Sequence, residues 1–351
     1  MTRAETIAAL RPRYQKDLAS GVERFFAPRR TMCPWCGSGR LRERVRTRDL
    51  LQNKPGTFVV DRCLSCGHHF QNPQLTEEGL EFYYRDCYDG LGEELARSIL
   101  GAPGSTRRHR AVARSLRPSI APARWLDVGT GYGFFPQAAK DVFPETVFEG
   151  LDQGEGVEAA AREGRIERAL RGSFTELAPS LAERYDTVSM HHYLEHTPNP
   201  HAQLRAARAA LRPGGLLHIE VPDPESAFAG LLGRWWLPWL QPQHLHLMPM
   251  SNLRRALEES GFTVVTAERG AAHKPLELFC ALLLLLSRLL PYDDAPWHPQ
   301  PPSATARHVR KLMWAGAAPL VVAAYGLDVL AGPLLRHVGF SNAYRLLARR
   351  D

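Results

Sequence analysis

The stretch ARWLDVGTGYGFFPQAAKDV, residues 123–142, changes the character of the chain. WLDV reads as a short buried strand, GTGYG as a flexible turn and FFPQAAKDV as the opening of a helix, so the stretch is a strand, glycine loop and helix unit. Its glycines fall as G-x-G-x-G at Gly129, Gly131 and Gly133, with Asp127 ahead of them. A dinucleotide fingerprint would place its third glycine one residue later. Such a unit opens an α/β sheet, whose ligands gather outside the carboxyl ends of the strands.

The spacing suits S-adenosylmethionine, which has no pyrophosphate to cradle and presents a carboxylate, an ammonium and a sulfonium. Glycines let the backbone come close, a helix N-terminus favours the carboxylate, and Asp127 can offset the cationic end. Nineteen residues past Gly133, EGLDQG ends a second strand with Asp152, where a carboxylate can accept both ribose hydroxyls. RGSFTEL is a third strand end, with Ser173 and Phe174 placed to lie along an adenine. YDTVSM (185–190) reads as the fourth strand, and SMHHYLEH (189–196) sits at its C-terminal end. In TPNPHAQLRAARAALRPGG, Asn199 is a cap, Pro200 the first helical residue and Pro213-Gly214-Gly215 the stop. LLHIEVPD, NLRRALEESGF and TVVTAERG supply a fifth strand, a helix and a sixth strand, and SNAYRLLARR returns as the last strand.

Upstream, four of the six cysteines form two pairs, CPWC (Cys33, Cys36) and CLSC (Cys63, Cys66), each followed by glycine. Two C-x-x-C-G knuckles supply four thiolates, which suits tetrahedral zinc and leaves no open coordination position, so the metal would be structural. RERVRT and GTFVVDRC read as short strands of a zinc ribbon. Two disulfides or a redox dithiol are the alternatives, and a cytosolic compartment argues against disulfides. Cys87 and Cys280 stand alone and read as packed thiols. Thr76 is placed to cap a helix, and an Arg-rich, mostly helical connector follows to about residue 122.

DVGTGYG, EGLDQG, YLEHTPNP, LRPGG and ESGF resemble the class I S-adenosylmethionine-dependent methyltransferases, in the branch similar to the ubiquinone-biosynthesis O-methyltransferases. With CPWCG and CLSCGHHFQNPQLTEE added, the chain is similar to the subgroup bearing an N-terminal zinc ribbon, which includes deoxysugar C-methyltransferases and natural-product tailoring enzymes. The resemblance implies a Rossmann-like seven-stranded sheet with the last strand antiparallel. It also implies cofactor contacts at Asp127, Gly129, Thr130, Gly131, Asp152, Gln153 and Ser173, beside Gly133 of the glycine motif. In the ubiquinone branch the turn after the fourth strand has Glu-x-x-Glu-His, associated with a divalent metal; this chain reads His192, Glu195, His196 and departs at the first position.

The sulfonium is already activated, so displacement needs an acceptor held in line. A base is needed only where the acceptor must lose a proton. Strand alternation puts His191 and His192 on opposite sides, and His192 is the expected base, with His196 as a helper or brace. QPQHLHLMP adds His244 and His246 as further base or substrate-binding candidates.

GLLGRWWLPWLQ (230–241) reads as a pocket wall or lid, or else as a packing hinge. LFCALLLLLSRLLP and LMWAGAAPLVVAAYGLDVLAGPLLRHVG read as buried or paired helices, with docking on a membrane or a grip on a lipid-like substrate as the alternative. The expected division is residues 1–75 (N-terminal segment and zinc ribbon), 76–122 (helical connector), 123–270 with 341–351 (methyltransferase domain) and 271–340 (hydrophobic helical insertion).

A chain of 351 residues, 44% hydrophobic and 23% charged, is ordinary for a globular protein. The first residues lack the apolar run of a secretory signal, and a cytoplasmic protein is expected, with membrane association open. Residues 1–75 carry 14 Lys/Arg against 6 Asp/Glu within a net charge of +7. The expected activity is methyl transfer to a small-molecule acceptor, with oxygen favoured over carbon or nitrogen and a lipid-like or carrier-bound acceptor among the options. One rival is an RNA methyltransferase using the basic ribbon, which lacks the Asn/Asp-Pro-Pro-aromatic turn of many base-methylating enzymes. The other is a non-catalytic cofactor-binding scaffold whose insertion docks a partner or membrane.

Overall fold

The computed structural model describes residues 2–86, 97, 101–269, 276–335 and 337–351; Cys87 and part of the expected connector lie outside the described residues. The chain forms two compact units. The first comprises Met1–Leu91, Pro224–Leu245 and Lys274–Asn342, and the second Gly92–Asp223, His246–His273 and Ala343–Asp351.

In the second unit the strands are β4 (Arg124–Val128), β5 (Val147–Asp152), β6 (Arg168–Arg171), β7 (Tyr185–His191), β8 (Leu211–Pro222), β10 (Phe262–Arg269) and β11 (Ala343–Arg350). They form one sheet in the order β10-β11-β8-β7-β4-β5-β6. β4 to β8 run parallel, and β11 is antiparallel to both β8 and β10, as the expected seven-stranded fold requires. β4 is buried nearly throughout because parallel strands are covered on both faces. On one face Trp125 packs against Phe143 and Phe148 at ring distances of 5.5 and 5.3 Å, closed over by Val112 and Leu116 of the helix Pro103–Leu116.

Asn199 caps the helix Pro200–Ala210, its Oδ1 accepting from the Ala202 amide at 3.1 Å. The helix ends at Ala210, and LRPGG, expected as its stop, already opens β8. Leu211 pairs with Tyr185 and Leu216 with Thr187, so the intervening Pro-Gly-Gly is accommodated in a register shift between the two strands.

The first unit holds the antiparallel ribbon β1 (Leu41–Thr47), β2 (Phe58–Cys63) and β3 (His69–Gln71). Thr76 caps the helix Glu77–Tyr84 by accepting from the Gly79 amide at 3.1 Å. The helix Arg3–Leu18 begins with a reciprocal Thr2–Glu5 capping box. Tyr14, Phe25, Phe58, Phe82, Tyr83 and, from far along the chain, Trp297 form the core. Trp236 and Trp239 are buried at a ring distance of 5.2 Å, with the Arg44 guanidinium 5.7 Å and the His69 ring 5.5 Å from Trp239. These two rings are packing elements of the first unit.

The insertion folds as two paired helices, Glu277–Leu289 and Ala304–Leu335. Asp328 accepts from the Leu278 and Phe279 amides at 3.2 and 2.8 Å and so caps the shorter helix. The expectation of burial fails for the longer helix, of which only Ala324, Asp328 and Gly332 are buried.

Candidate active site

The sheet sets its chemistry at the carboxyl ends of β4, β5, β7 and β8. Asp127 and Ser189 are paired residues of β4 and β7. Trp125 Nε1 donates to Ser189 Oγ at 2.8 Å, and that hydroxyl donates to Asp127 Oδ1 at 2.5 Å. Asp127 is buried, with His191 Nδ1 3.5 Å from the same Oδ1. His191 Nε2 in turn lies 3.0 Å from Nδ1 of His218 on β8. Burial drives the His218 ring well below the usual imidazole range, so it is neutral.

The glycine loop is tied to β5 through the Gly129 and Thr130 amides, which donate to the Leu151 carbonyl at 2.8 and 3.2 Å. Asp152 braces it further: Oδ2 accepts from the Gly131 amide at 2.8 Å and Oδ1 from Gly154 at 2.9 Å. Burial raises the Asp152 carboxyl above its ordinary value, and the amide bonds oppose that rise. Each oxygen keeps a second lone pair, so the carboxylate can brace the loop and accept a hydroxyl together.

Two observations test the loop for S-adenosylmethionine. At Gly131, with φ +52°, a Cβ would meet nothing within 4 Å among the described residues, so the loop presents bare backbone there. Thr130 Oγ1 is buried with no hydrogen-bond partner among the described residues. Open backbone and an orphaned hydroxyl fit a polar ligand, so Asp127, Gly129–Gly131 and Asp152 would hold the cofactor, which supplies a methyl group on a sulfonium. Gly129 (φ +73°) faces inward, where a Cβ would come within 2.6 Å of the Tyr193 ring. Gln153 is exposed and its carbonyl accepts from Arg171 at 3.4 Å, while Ser173 Oγ is 3.0 Å from Thr175 Oγ1. Gly133 donates its amide to the Thr130 carbonyl at 2.9 Å and closes the turn.

His192 departs from its expected role. Its backbone takes φ +51°, a left-handed conformation that costs any residue with a Cβ. Nδ1 lies 3.0 Å from Glu195 Oε1 and Nε2 3.0 Å from Glu220 Oε1. Burial disfavours the charged ring, but the bonds to Glu195 and Glu220 outweigh it and raise the pKa to about 9. At neutral pH the ring is an imidazolium with both nitrogens donating, so it has no lone pair with which to act as a base.

Glu220, fully buried on β8, also accepts from Arg345 Nε at 2.9 Å and from Arg108. Buried ions persist when paired and bonded in this way. The sequence reading missed Glu220, Arg108 and Arg345. An acid inside the apolar strand LLHIEVPD was the available signal for Glu220, whereas Arg108 is one arginine among many on its helix.

Among the remaining candidates, His196 is half-buried in the short turn Leu194–His196. His246, on the two-residue strand β9 (His246–Leu247), has Nε2 3.3 Å from the Pro198 carbonyl. His244 belongs to the first unit, where its Nδ1 is 2.7 Å from the Pro238 carbonyl.

In the ribbon, Cys33 and Cys66 have sulfurs 3.8 Å apart and Cys36 and Cys63 3.6 Å apart, with all four ligand atoms within 4.8 Å of one another. A zinc–sulfur bond of about 2.3 Å gives a tetrahedral edge of about 3.8 Å, and disulfide sulfurs would sit at about 2.05 Å. The four residues fit a structural zinc site. Trp35 donates its amide to Cys33 Sγ at 3.4 Å, the orientation a thiolate rewards.

Residues 104–267 match the protein-family model described as "Methyltransferase domain". Strand order, glycine loop and this match give the second unit the fold of a class I S-adenosylmethionine-dependent methyltransferase. Among curated proteins, the chain is 26% identical over 174 residues to a ubiquinone biosynthesis O-methyltransferase of Bordetella avium, covering 46% of this chain and 71% of that one. It is 30% identical over 139 residues to the same-named protein of Marinobacter nauticus, covering 37% of this chain and 58% of that one. A solved structure of a SAM dependent methyltransferase from Archaeoglobus fulgidus aligns at 18% identity and TM-score 0.47, covering 74% of this chain and 99% of that one.

Proposed function

We propose that the protein transfers the methyl group of S-adenosylmethionine to an oxygen of a small-molecule acceptor, in the branch similar to the ubiquinone biosynthesis O-methyltransferases. The observation that carries the reading is 26–30% identity to proteins of that name, beside a methyltransferase-domain match over residues 104–267 that takes in the strand-loop-helix unit and the turn after β7. The chemistry asks the protein for alignment above all, and β7 brings its end, His191 to His196, to the sheet edge that carries the glycine loop.

The reading leaves proton removal to a group other than His192. His191, beside Asp127 and the neutral His218, is an imidazole at the end of β7 that is not clamped between carboxylates, and we assign it to the acceptor. His192, Glu195, Glu220, Arg108 and Arg345 form the charged brace that holds the turn.

The test combines calorimetric titration with S-adenosylmethionine and transfer of its labelled methyl group to phenolic, catecholic and hydroxyl-bearing small molecules, with RNA in parallel. Binding with label in a small-molecule product supports the reading. Label in RNA alone, or no binding of the cofactor, overturns it.

A further inference from the structure

The longest helix of the molecule is almost bare. Ala304–Leu335 runs for 32 residues, about 48 Å at 1.5 Å per residue. Its buried residues, Ala324, Asp328 and Gly332, recur every four positions and make one narrow stripe. Asp328 on that stripe caps the helix Glu277–Leu289, and Tyr325 meets Phe279 at a ring distance of 5.8 Å. From Leu312 onward the rest of the cylinder is apolar and open: Leu312, Leu320, Val322, Leu327, Leu330 and Leu334 are between 57% and 78% exposed.

A helix apolar around its whole circumference belongs in a core or in lipid. Only 17% of its most apolar window is buried, so it is not a core helix, and a position beyond residue 300 is not that of a secretion signal. Water-facing apolar surface on this scale marks an interaction site.

Charge and connectivity say what covers it. Arg307, Arg310 and Lys311 cluster at the start of the helix, and no acidic residue occurs between Ala304 and Leu327. Arg307 and Arg310 donate to the Pro302 and Pro291 carbonyls, which fixes them without neutralising them. Both ends of the segment return to the same unit. Before the helix, Trp297 sits in the core beside Tyr14; after it, Gly339 accepts from the Ala227 amide at 3.0 Å and Phe340 packs on Phe228 at 4.9 Å. A spanning helix would need its ends on opposite sides of the bilayer.

We propose that the outer face of Ala304–Leu335 lies in the plane of a bilayer, in one leaflet, and docks the protein on an anionic lipid surface. Apolar residues enter the acyl boundary, and Arg307, Arg310 and Lys311 meet the headgroups.

The experiment floats the full chain with vesicles of phosphatidylcholine, with and without phosphatidylglycerol. The protein is expected to float with the anionic vesicles. L320E/L330E should cut the bound fraction at least ~tenfold with an unchanged circular-dichroism melt, since both side chains are exposed. R307E/K311E should abolish the preference for phosphatidylglycerol. Tags at both chain termini should be removed by protease added outside sealed vesicles; protection of one tag would mean a spanning helix and overturn the in-plane arrangement. No flotation with either vesicle, or flotation untouched by L320E/L330E, overturns the proposal. So does light scattering that shows a dimer split by L320E/L330E in a protein that ignores vesicles.

Discussion

His192 is an instance of a side chain whose charge is set by its partners rather than by its type. Its ordinary pKa of about 6.5 is raised to about 9 in the fold because Glu195 and Glu220 bond the protonated ring against the opposing effect of burial. A group with a raised folded value stabilises the fold when protonated, so its contribution is fully present below about pH 6.5 and is lost as the pH rises through about 9. Urea unfolding of the wild type should therefore show stability falling across that window. His192→Ala should flatten the slope and cost about 1–3 kcal/mol at pH 6, because two buried carboxylates lose a donor. A slope unchanged by H192A would show that the ring is neutral. The glycine loop separates fold from function by a second pair of substitutions. Gly129→Ala drives a methyl toward Tyr193 and should lower both the melting temperature and cofactor affinity. Gly131→Ala meets open space and should cost only about 1–2 kcal/mol of left-handed strain while weakening S-adenosylmethionine binding at least as much. Calorimetric titration beside a thermal melt reads both. The sequence pointed to His192 through strand alternation at the C-terminal end of β7. It could not show the clamp, because Glu220 and Arg345 reach the ring from β8 and β11, and β11 is the last strand of the chain.

At the scale of elements, the parts legible in sequence are those governed by neighbours a few residues apart. Thr76 and Asn199 cap their helices because a short oxygen side chain reaches an amide three residues on. The cysteine knuckles are equally local, since each pair is spanned by one turn, with Gly37 and Gly67 returning their amides to the Cys33 and Cys63 carbonyls at 2.9 Å. The sulfur tetrahedron leads to a direct expectation: purified protein should carry one zinc per chain, and Cys33→Ser should lose it together with several degrees of melting temperature. Full zinc occupancy in C33S, or an unchanged melt after chelation, would remove the metal from the account of stability. Boundaries between elements were harder. LRPGG has the composition of a stop, yet β8 begins inside it because Leu211 pairs with Tyr185 and the sheet absorbs the glycines in a shifted register. Composition also failed for Ala304–Leu335: it records that a helix is apolar but not which of its faces has a neighbour, and only one stripe here does.

At the scale of the whole molecule, each unit is assembled from segments distant in sequence, and that is where local patterns stop informing. The methyltransferase sheet was recoverable because its strand order is a property of the fold class and SNAYRLLARR had a vacant place to fill between β8 and β10. The first unit had no such template. A segment beyond residue 290 supplies Trp297 to a core built otherwise from Tyr14, Phe25, Phe58, Phe82 and Tyr83, with the Lys54 ammonium 5.1 Å from its ring. Lys54 is itself buried and donates to the Phe82 and Tyr83 carbonyls at 2.8 and 3.1 Å, bonds that offset the cost of burying its charge beside the ring. Phe58 in this core begins β2, whose last residue is the zinc-site Cys63. Truncating Trp297 should therefore act at a distance. Trp297→Ala is expected to cost about 3–5 kcal/mol in urea unfolding and to speed zinc release to a chelator, whereas Val322→Ala, on the exposed face of the long helix, should change neither. If W297A lowered stability while leaving zinc release at the wild-type rate, β2 would hold its knuckle without help from the core. The shared aromatic cluster would then be packing without energetic coupling between the insertion and the ribbon.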